Sequence, residues 1–281
     1  MKARAAATTG SEAGALSICS AAGNRFQMWD GFLSSPPIDL SSAAIDYCKR
    51  GSLDGFLQVL PVPGDHADCQ MVLFNADGGR AETCGNGLRL VGKLMFEAGR
   101  FEAISTLRVQ TDVGVVEVKV FPTDTDQLVR QARVQFPLPR ELRAIELEVD
   151  APPIASKSGL VSISATYVDL GNPHCVIFGP AEHLEDVTIV GKALERHSDF
   201  PHRANIEFAH VEGDAADSLI VRVWERGVGE TLACGSGAVA VALAAVHRKL
   251  VNWPVSIKMR GGVLRVDRGD DCLWLDGPVD S

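Results

Sequence analysis

The chain lacks what would let it grip a polyanion, cross a bilayer or staple a small secreted fold. Basic residues are in deficit, with 27 Lys and Arg against 36 Asp and Glu in 281 residues, a formal net charge of −9. Nucleic-acid and anionic-lipid binders gather Lys and Arg on one face, and no basic run occurs here, so neither partner is expected. Apolar runs such as Ala238–Val246 fall well short of the roughly 20 residues that span a bilayer. Met1–Gly14 is rich in Ala, Thr and Gly and has no apolar signal core. Residues 1–15 therefore read as a loose extension on a cytoplasmic protein.

Cysteine is also sparse, with seven, an odd number, and none in a C-x-x-C pair or a Cys/His cluster at zinc spacing. Free thiols in a reducing compartment fit this better than disulfides, and no metal site is expected. With 46% hydrophobic and 22% charged residues, the composition excludes disorder, collagen and coiled coil. The length allows two domains, each large enough for its own core.

Two of the seven cysteines have matching neighbours. Cys84-Gly85-Asn86-Gly87 and Cys234-Gly235-Ser236-Gly237 share the pattern Cys-Gly-(Asn or Ser)-Gly, and each precedes an apolar run. After the first, Leu88, Val91, Leu94 and Met95 recur at helical spacing, with Arg89 and Lys93 between them, until Gly99. After the second, Ala238–Val246 is small and apolar on every side, the pattern of a helix buried all round, with His247, Arg248 and Lys249 at its C-terminal end. Around both helices the chain reads mostly as strands. Val116, Val118 and Val120 alternate with charges, Leu219–Trp224 is a β-branched run, and Val263–Val266 and Cys272–Leu275 flank a Gly269-Asp270-Asp271 turn as a hairpin.

Strands, a glycine-led helix and more strands, twice over, suggest a weak internal duplication with its junction near Asp124–Arg133. The expected fold class is α+β, in two similar domains related by a pseudo-two-fold, each a mixed or antiparallel sheet wrapped around a central helix. The domains are placed at residues 16–130 and 131–281, with the last ten or so residues packing back on the first half.

A glycine-rich turn that opens a helix presents backbone N–H groups to an anion such as a carboxylate. The same location lowers a cysteine pKa from about 8.5, bringing a thiolate within reach of neutral pH. Two such loops facing one carbon from opposite sides would suit removal of a proton from one face and delivery to the other, which is inversion by a racemase or epimerase. A lone cysteine before glycine is ordinarily a core residue at a turn, and that reading is kept for Cys19, Cys48, Cys69, Cys175 and Cys272. The duplicated context sets Cys84 and Cys234 apart.

Four further stretches carry a resemblance: Phe74–Gly78 leading into the first motif, Gly171-Asn172-Pro173-His174, Asn205-Ile206-Glu207-Phe208, and Trp224–Gly237 with its Gly-Glu-Thr-Leu-Ala-Cys-Gly-Ser-Gly ending. Together they resemble the diaminopimelate epimerase family, in the family's order, from about Gly23 to Pro278. The resemblance implies an isomerase that converts LL-diaminopimelate to the meso form in lysine and peptidoglycan-precursor synthesis, with neither pyridoxal phosphate nor metal. It implies Cys84 and Cys234 as the acid/base pair, with His174 and Glu225 supporting them. It assigns substrate contacts to Asn24, Asn75, Gly85, Asn86, Asn172, Asn205, Glu225, Arg226, Gly235 and Ser236. Arg226 can clamp a distal carboxylate in a bidentate pair, and asparagine carbonyls can accept from a distal ammonium.

Two departures stand out. The family's Gly-Asn-Asp-Phe is Gly23-Asn24-Arg25-Phe26 here, and the glutamine that often follows Asp54 is replaced by Gly55. They motivate an alternative, a related epimerase for another amino acid. A non-catalytic amino-acid binder is a further class, against which both cysteines speak. A homodimer, the commonest arrangement of soluble enzymes, is expected.

Overall fold

The computed structural model describes residues 15–35, 39–81, 84–150, 160–213 and 217–280. The chain divides into two compact units, one of residues 1–134 with 279–281 and one of residues 135–278. The expected extension falls at residues 1–14 outside the described residues. Ala15, assigned to it from sequence, is instead buried in an apolar cluster with Trp29, Phe56 and Phe74.

The first unit opens with an antiparallel hairpin, β1 (Leu16–Ala21) and β2 (Asn24–Asp30). Its turn places Ala22 and Gly23 at positive φ. Helix α1 (Leu40–Gly51) leads to β3 (Gly55–Leu60), parallel to β2, and β4 (Cys69–Asn75) returns antiparallel. After the short β5 (Arg80–Ala81) comes α2 (Gly85–Glu97). The strands β6 (Leu107–Thr111), parallel to β4, then β7 (Gly114–Pro122) and β8 (Val129–Phe136) follow. The stretch 124–133, expected as the junction, holds a turn and most of β8, and the division between units falls just after it.

The second unit repeats this plan. It begins with β9 (Glu141–Asp150) antiparallel to β10 (Leu160–Asp169) and continues with β11 (Pro173–Phe178). A 3-10 turn and α3 (Val187–Leu194) lead to β12 (Asn205–Val211), parallel to β11. Then come β13 (Ser218–Glu225), β14 (Gly229–Thr231), α4 (Gly235–His247), β15 (Val255–Met259), β16 (Gly262–Arg268) and β17 (Leu273–Pro278). From β1 in one unit and β10 in the other, each strand pairs with the counterpart of its neighbour in the same sense. The duplication is therefore one of topology, and among the strands of the described residues β9 alone has no counterpart.

In both units the strand after the peripheral helix is buried on its two faces. Phe56 joins the cluster under α1, while the next residue, Leu57, reaches α2 at Gly87. Ile206 and Phe208 likewise join Val187, Val190 and Leu194 of α3, while Glu207 between them reaches α4 at Gly237. Successive side chains of a strand point to opposite faces, so each of these strands lies between two helices, which explains its near-continuous apolar run. Helix α4 is buried all round, as its sequence predicts. Helix α2 differs from expectation, because Arg89 and Lys93, read as polar interruptions, are 0% and 7% exposed.

Candidate active site

Both motif cysteines sit at helix N-caps. Cys84 and Cys234 are extended (φ −153° and −126°), and each sulfur accepts from the N–H of the glycine three residues on, Gly87 or Gly237, at 3.4 Å. A thiol thus occupies the position usually given to Ser or Asp. The first-turn amides of Gly85, Asn86, Gly235 and Ser236 have no carbonyl four residues back within their helices, which leaves them the orientation of an anion cradle.

The shared topology places the remaining candidates at equivalent positions. Asn24 and Asn172 both follow the glycine of a hairpin turn. Asn86 and Ser236 are the third residues of the two motifs, and each bonds to the asparagine of its own unit: Asn86 Nδ2 donates to Asn24 Oδ1 at 2.6 Å, and Asn172 Nδ2 to Ser236 Oγ at 3.3 Å. Asn75 and Glu225 end equivalent strands, opposite Gly55 and at the level of Asn205. Gly55 has a packing reason to lack a side chain, since a Cβ there would lie 2.8 Å from the Phe74 carbonyl oxygen and 3.2 Å from the Phe26 ring. The Arg25 departure is accommodated on the backbone: its N–H donates to Asp54 Oδ2 at 2.7 Å, and its carbonyl accepts from the Asp54 N–H at 2.8 Å.

The second unit surrounds its cysteine with more ionisable groups. Cys234 Sγ lies 3.5 Å from Ser236 Oγ. Glu225 accepts from the Thr231 hydroxyl and hydrogen-bonds Cys234. Behind them His174 Nδ1 and Glu207 Oε1 are 2.6 Å apart, both side chains fully buried. Burial pushes the Glu207 and Glu225 carboxyls up, partly offset in Glu207 by His174 and in Glu225 by its hydrogen bonds. Burial and then the Glu225 carboxylate push the Cys234 thiol well above its ordinary value. For Cys234 this runs against the expectation from helix position alone, because desolvation and two nearby carboxylates both oppose the thiolate.

Asn205 Oδ1 accepts from the Arg226 N–H at 2.9 Å, and the exposed Arg226 side chain reaches the His202 carbonyl at 3.2 Å. Sequence reasoning passed over Glu207 and Glu195. Glu195 accepts from the Trp224 indole at 2.8 Å and the Gly227 N–H at 2.9 Å, bracketing the turn that carries Arg226. The signal for Glu207 was its place two residues after Asn205, on the same strand face. No signal in the sequence marks Glu195. Among the described residues no group of three His, Cys, Asp or Glu is arranged to hold a metal ion, and no helix is long and apolar enough to cross a membrane.

The fold is shared with solved racemases, epimerases and PhzF-type proteins. It superimposes on a PhzF-family phenazine biosynthesis protein of Bacillus anthracis (TM-score 0.66, 14% identity, 95% of each chain). It also superimposes on a probable proline racemase of Agrobacterium radiobacter K84 (0.63, 14%, 94% of this chain and 89% of that one). Such identities show the fold alone, a duplicated α+β architecture.

Sequence narrows the class. The diaminopimelate epimerase family profile matches residues 166–274. The diaminopimelate epimerase of Desulforudis audaxviator is 38% identical over 270 residues, covering 92% of this chain and 94% of that one. That of Halothermothrix orenii is 32% identical over 266 residues, covering 92% of each. The chain belongs to the diaminopimelate epimerase family, a family of isomerases.

Proposed function

We propose that this chain inverts one α-carbon of LL-2,6-diaminopimelate to give the meso isomer, in lysine and peptidoglycan-precursor synthesis. The observation that carries the reading is the pair of cysteine N-caps at equivalent positions of a duplicated topology. Inversion requires one group to take a proton from one face of the carbon and another to deliver a proton to the opposite face. Cys84 is assigned to one face and Cys234 to the other. When Cys234 delivers its proton the S–H bond breaks as the C–H bond forms; in the reverse direction its thiolate takes the α-proton. The first-turn amides of both helices would hold the reacting carboxylate as charge develops on it. Asn24, Asn75, Asn172, Asn205, Glu225 and Arg226 would recognise the remainder of the substrate, with His174 and Glu225 supporting proton transfer. No cofactor has a role in this chemistry. The enzyme is assigned to the cytoplasm as a homodimer without nucleic-acid or membrane partners, which accords with its net charge and with cysteines that form no disulfide among the described residues.

In deuterated water the substrate should take up solvent deuterium at one α-carbon as it inverts, and Cys84→Ala or Cys234→Ala should abolish inversion. Wild-type rates in either variant would remove the mechanism. Arg25 and Gly55 favour a second reading, an epimerase for another amino acid. A higher kcat/KM on a monocarboxylic amino acid than on LL-diaminopimelate would select it.

A further inference from the structure

The buried His174–Glu207 pair has no counterpart in the first unit. By strand register Phe26 occupies the place of His174, opposite Gly55 as His174 is opposite Asn205. Leu57 occupies the place of Glu207, two residues along the same strand. The side chains at that second position do the same packing. A Cβ on Gly87 would meet Leu57 Cδ1 at 2.8 Å, and a Cβ on Gly237 would meet Glu207 Oε1 at 2.9 Å. The scaffold therefore needs a side chain of leucine or glutamate size beneath the first turn of the helix, and an aliphatic one suffices. Burying an ion pair there is no better for stability than apolar packing, so the charge in the second unit calls for another reason.

The surroundings of the pair supply one. The point beneath Gly237 that touches Glu207 Oε1 is also 3.4 Å from Cys234 Sγ. Glu225 lies within the electrostatic reach of both His174 and Glu207, and Cys234 and Cys175 within that of Glu207. Among the described residues His174 Nε2 and Glu207 Oε2 have no hydrogen-bond partner, so the ring has one nitrogen held and one uncommitted.

We propose that Glu207 is a positioning residue for proton transfer at Cys234: it holds His174 through Nδ1, so that the imidazole faces Glu225, the carboxylate that hydrogen-bonds Cys234. This rests on Cys234 being one of the two acid/base groups. When Cys234 gives its proton to the α-carbon, a thiolate is left beside two carboxylates in a buried site. An imidazolium anchored on Glu207 offsets that charge, and the same arrangement serves the reverse step, in which the thiolate takes the α-proton. In each direction the only proton that moves passes between Cys234 and the α-carbon. In the first unit Phe26 and Leu57 offer no such group, so the two cysteines work in different electrostatic settings.

Glu207→Gln keeps the shape and removes the charge. It should stay folded, lower kcat by about tenfold or more in both directions with KM within about threefold, and displace the kcat–pH profile. Glu207→Asp should recover part of the rate. In wild-type enzyme, nitrogen-15 spectra of the histidine rings should show His174 protonated on both nitrogens, with the Nδ1 proton in a strong hydrogen bond that Glu207→Gln weakens. A Gln variant with wild-type kcat and pH profile would overturn the inference. So would a wild-type ring with no Nδ1 proton, a measurement that needs no variant to fold. Cys234→Ala separates the two ideas. Inversion surviving that change removes the two-thiol reading and this inference with it. If Cys234→Ala is inactive and Glu207→Gln is normal, the inference alone fails.

Discussion

Cys234 is 7% exposed and faces Glu225 and Glu207, both carboxylates that oppose its ionisation. Taking away a negative neighbour favours the thiolate, so Glu225→Gln should move its ionisation to lower pH. The Cys234 thiol ionises above the ordinary cysteine range, where a glutamate still carries its charge, so the sign is unambiguous. In a Cys84→Ala background, iodoacetamide labelling of the Cys234 peptide, followed by mass, should reach its half-maximal rate at a lower pH than in the parent. A midpoint that stays put or rises would mean that Glu225 does not act on the sulfur through its charge. The cysteines at 84 and 234 could be singled out from sequence because their neighbours repeat. Glu207 could not, because its importance lies in a contact with His174, 33 residues earlier in the chain.

At the scale of elements, α2 shows what local pattern conveys and what it hides. Of the helically spaced Leu88, Val91, Leu94 and Met95, all but the half-buried Leu94 are buried. Arg89 and Lys93 are buried by bonding along their own helix and, for Lys93, to one strand carbonyl, which the spacing of apolar residues does not report. Arg89 Nη2 donates to Asn86 Oδ1 at 2.7 Å, and Lys93 Nζ to Glu97 Oε1 at 2.7 Å and the Val129 carbonyl at 3.1 Å. Helix α3, Val187–Leu194, escapes detection because Val187, Thr188, Ile189 and Val190 are β-branched, the composition of a strand, and packing against β13 outweighs that preference. There Gly191 lets the helix approach Trp224, whose Cβ would lie 2.7 Å from an added Cβ. Helix α2 uses Gly92 in the same way against β7, with Val118 Cγ1 at 2.7 Å and Val120 Cγ1 at 3.0 Å. Valine side chains are stiff at χ1, so Gly92→Ala cannot be absorbed by a rotamer change. It should lower the unfolding free energy by about 1–3 kcal/mol in a urea titration, and an unchanged midpoint would show that helix and strand can separate at no cost.

At the scale of the whole molecule, the same topology carries two differently wired half-sites. Asn24 with Asn86 and Asn172 with Ser236 keep the same pairing in each unit, whereas Phe26 with Leu57 gives way to His174 with Glu207. If the charged pair serves chemistry and not the scaffold, the first unit already contains its replacement. The double variant His174→Phe with Glu207→Leu should fold, with an unfolding free energy equal to wild type or higher by up to about 4 kcal/mol, since well-packed apolar groups commonly match or exceed a buried ion pair. It should nevertheless lose inversion. The single change Glu207→Leu should be the less stable protein, because it leaves the buried His174 Nδ1 without its acceptor. A double variant that unfolds at lower urea than the single one would reverse that order, and the pair would then belong to the architecture of the second unit. Stability retained with inversion lost would place the difference between the two units in their chemistry.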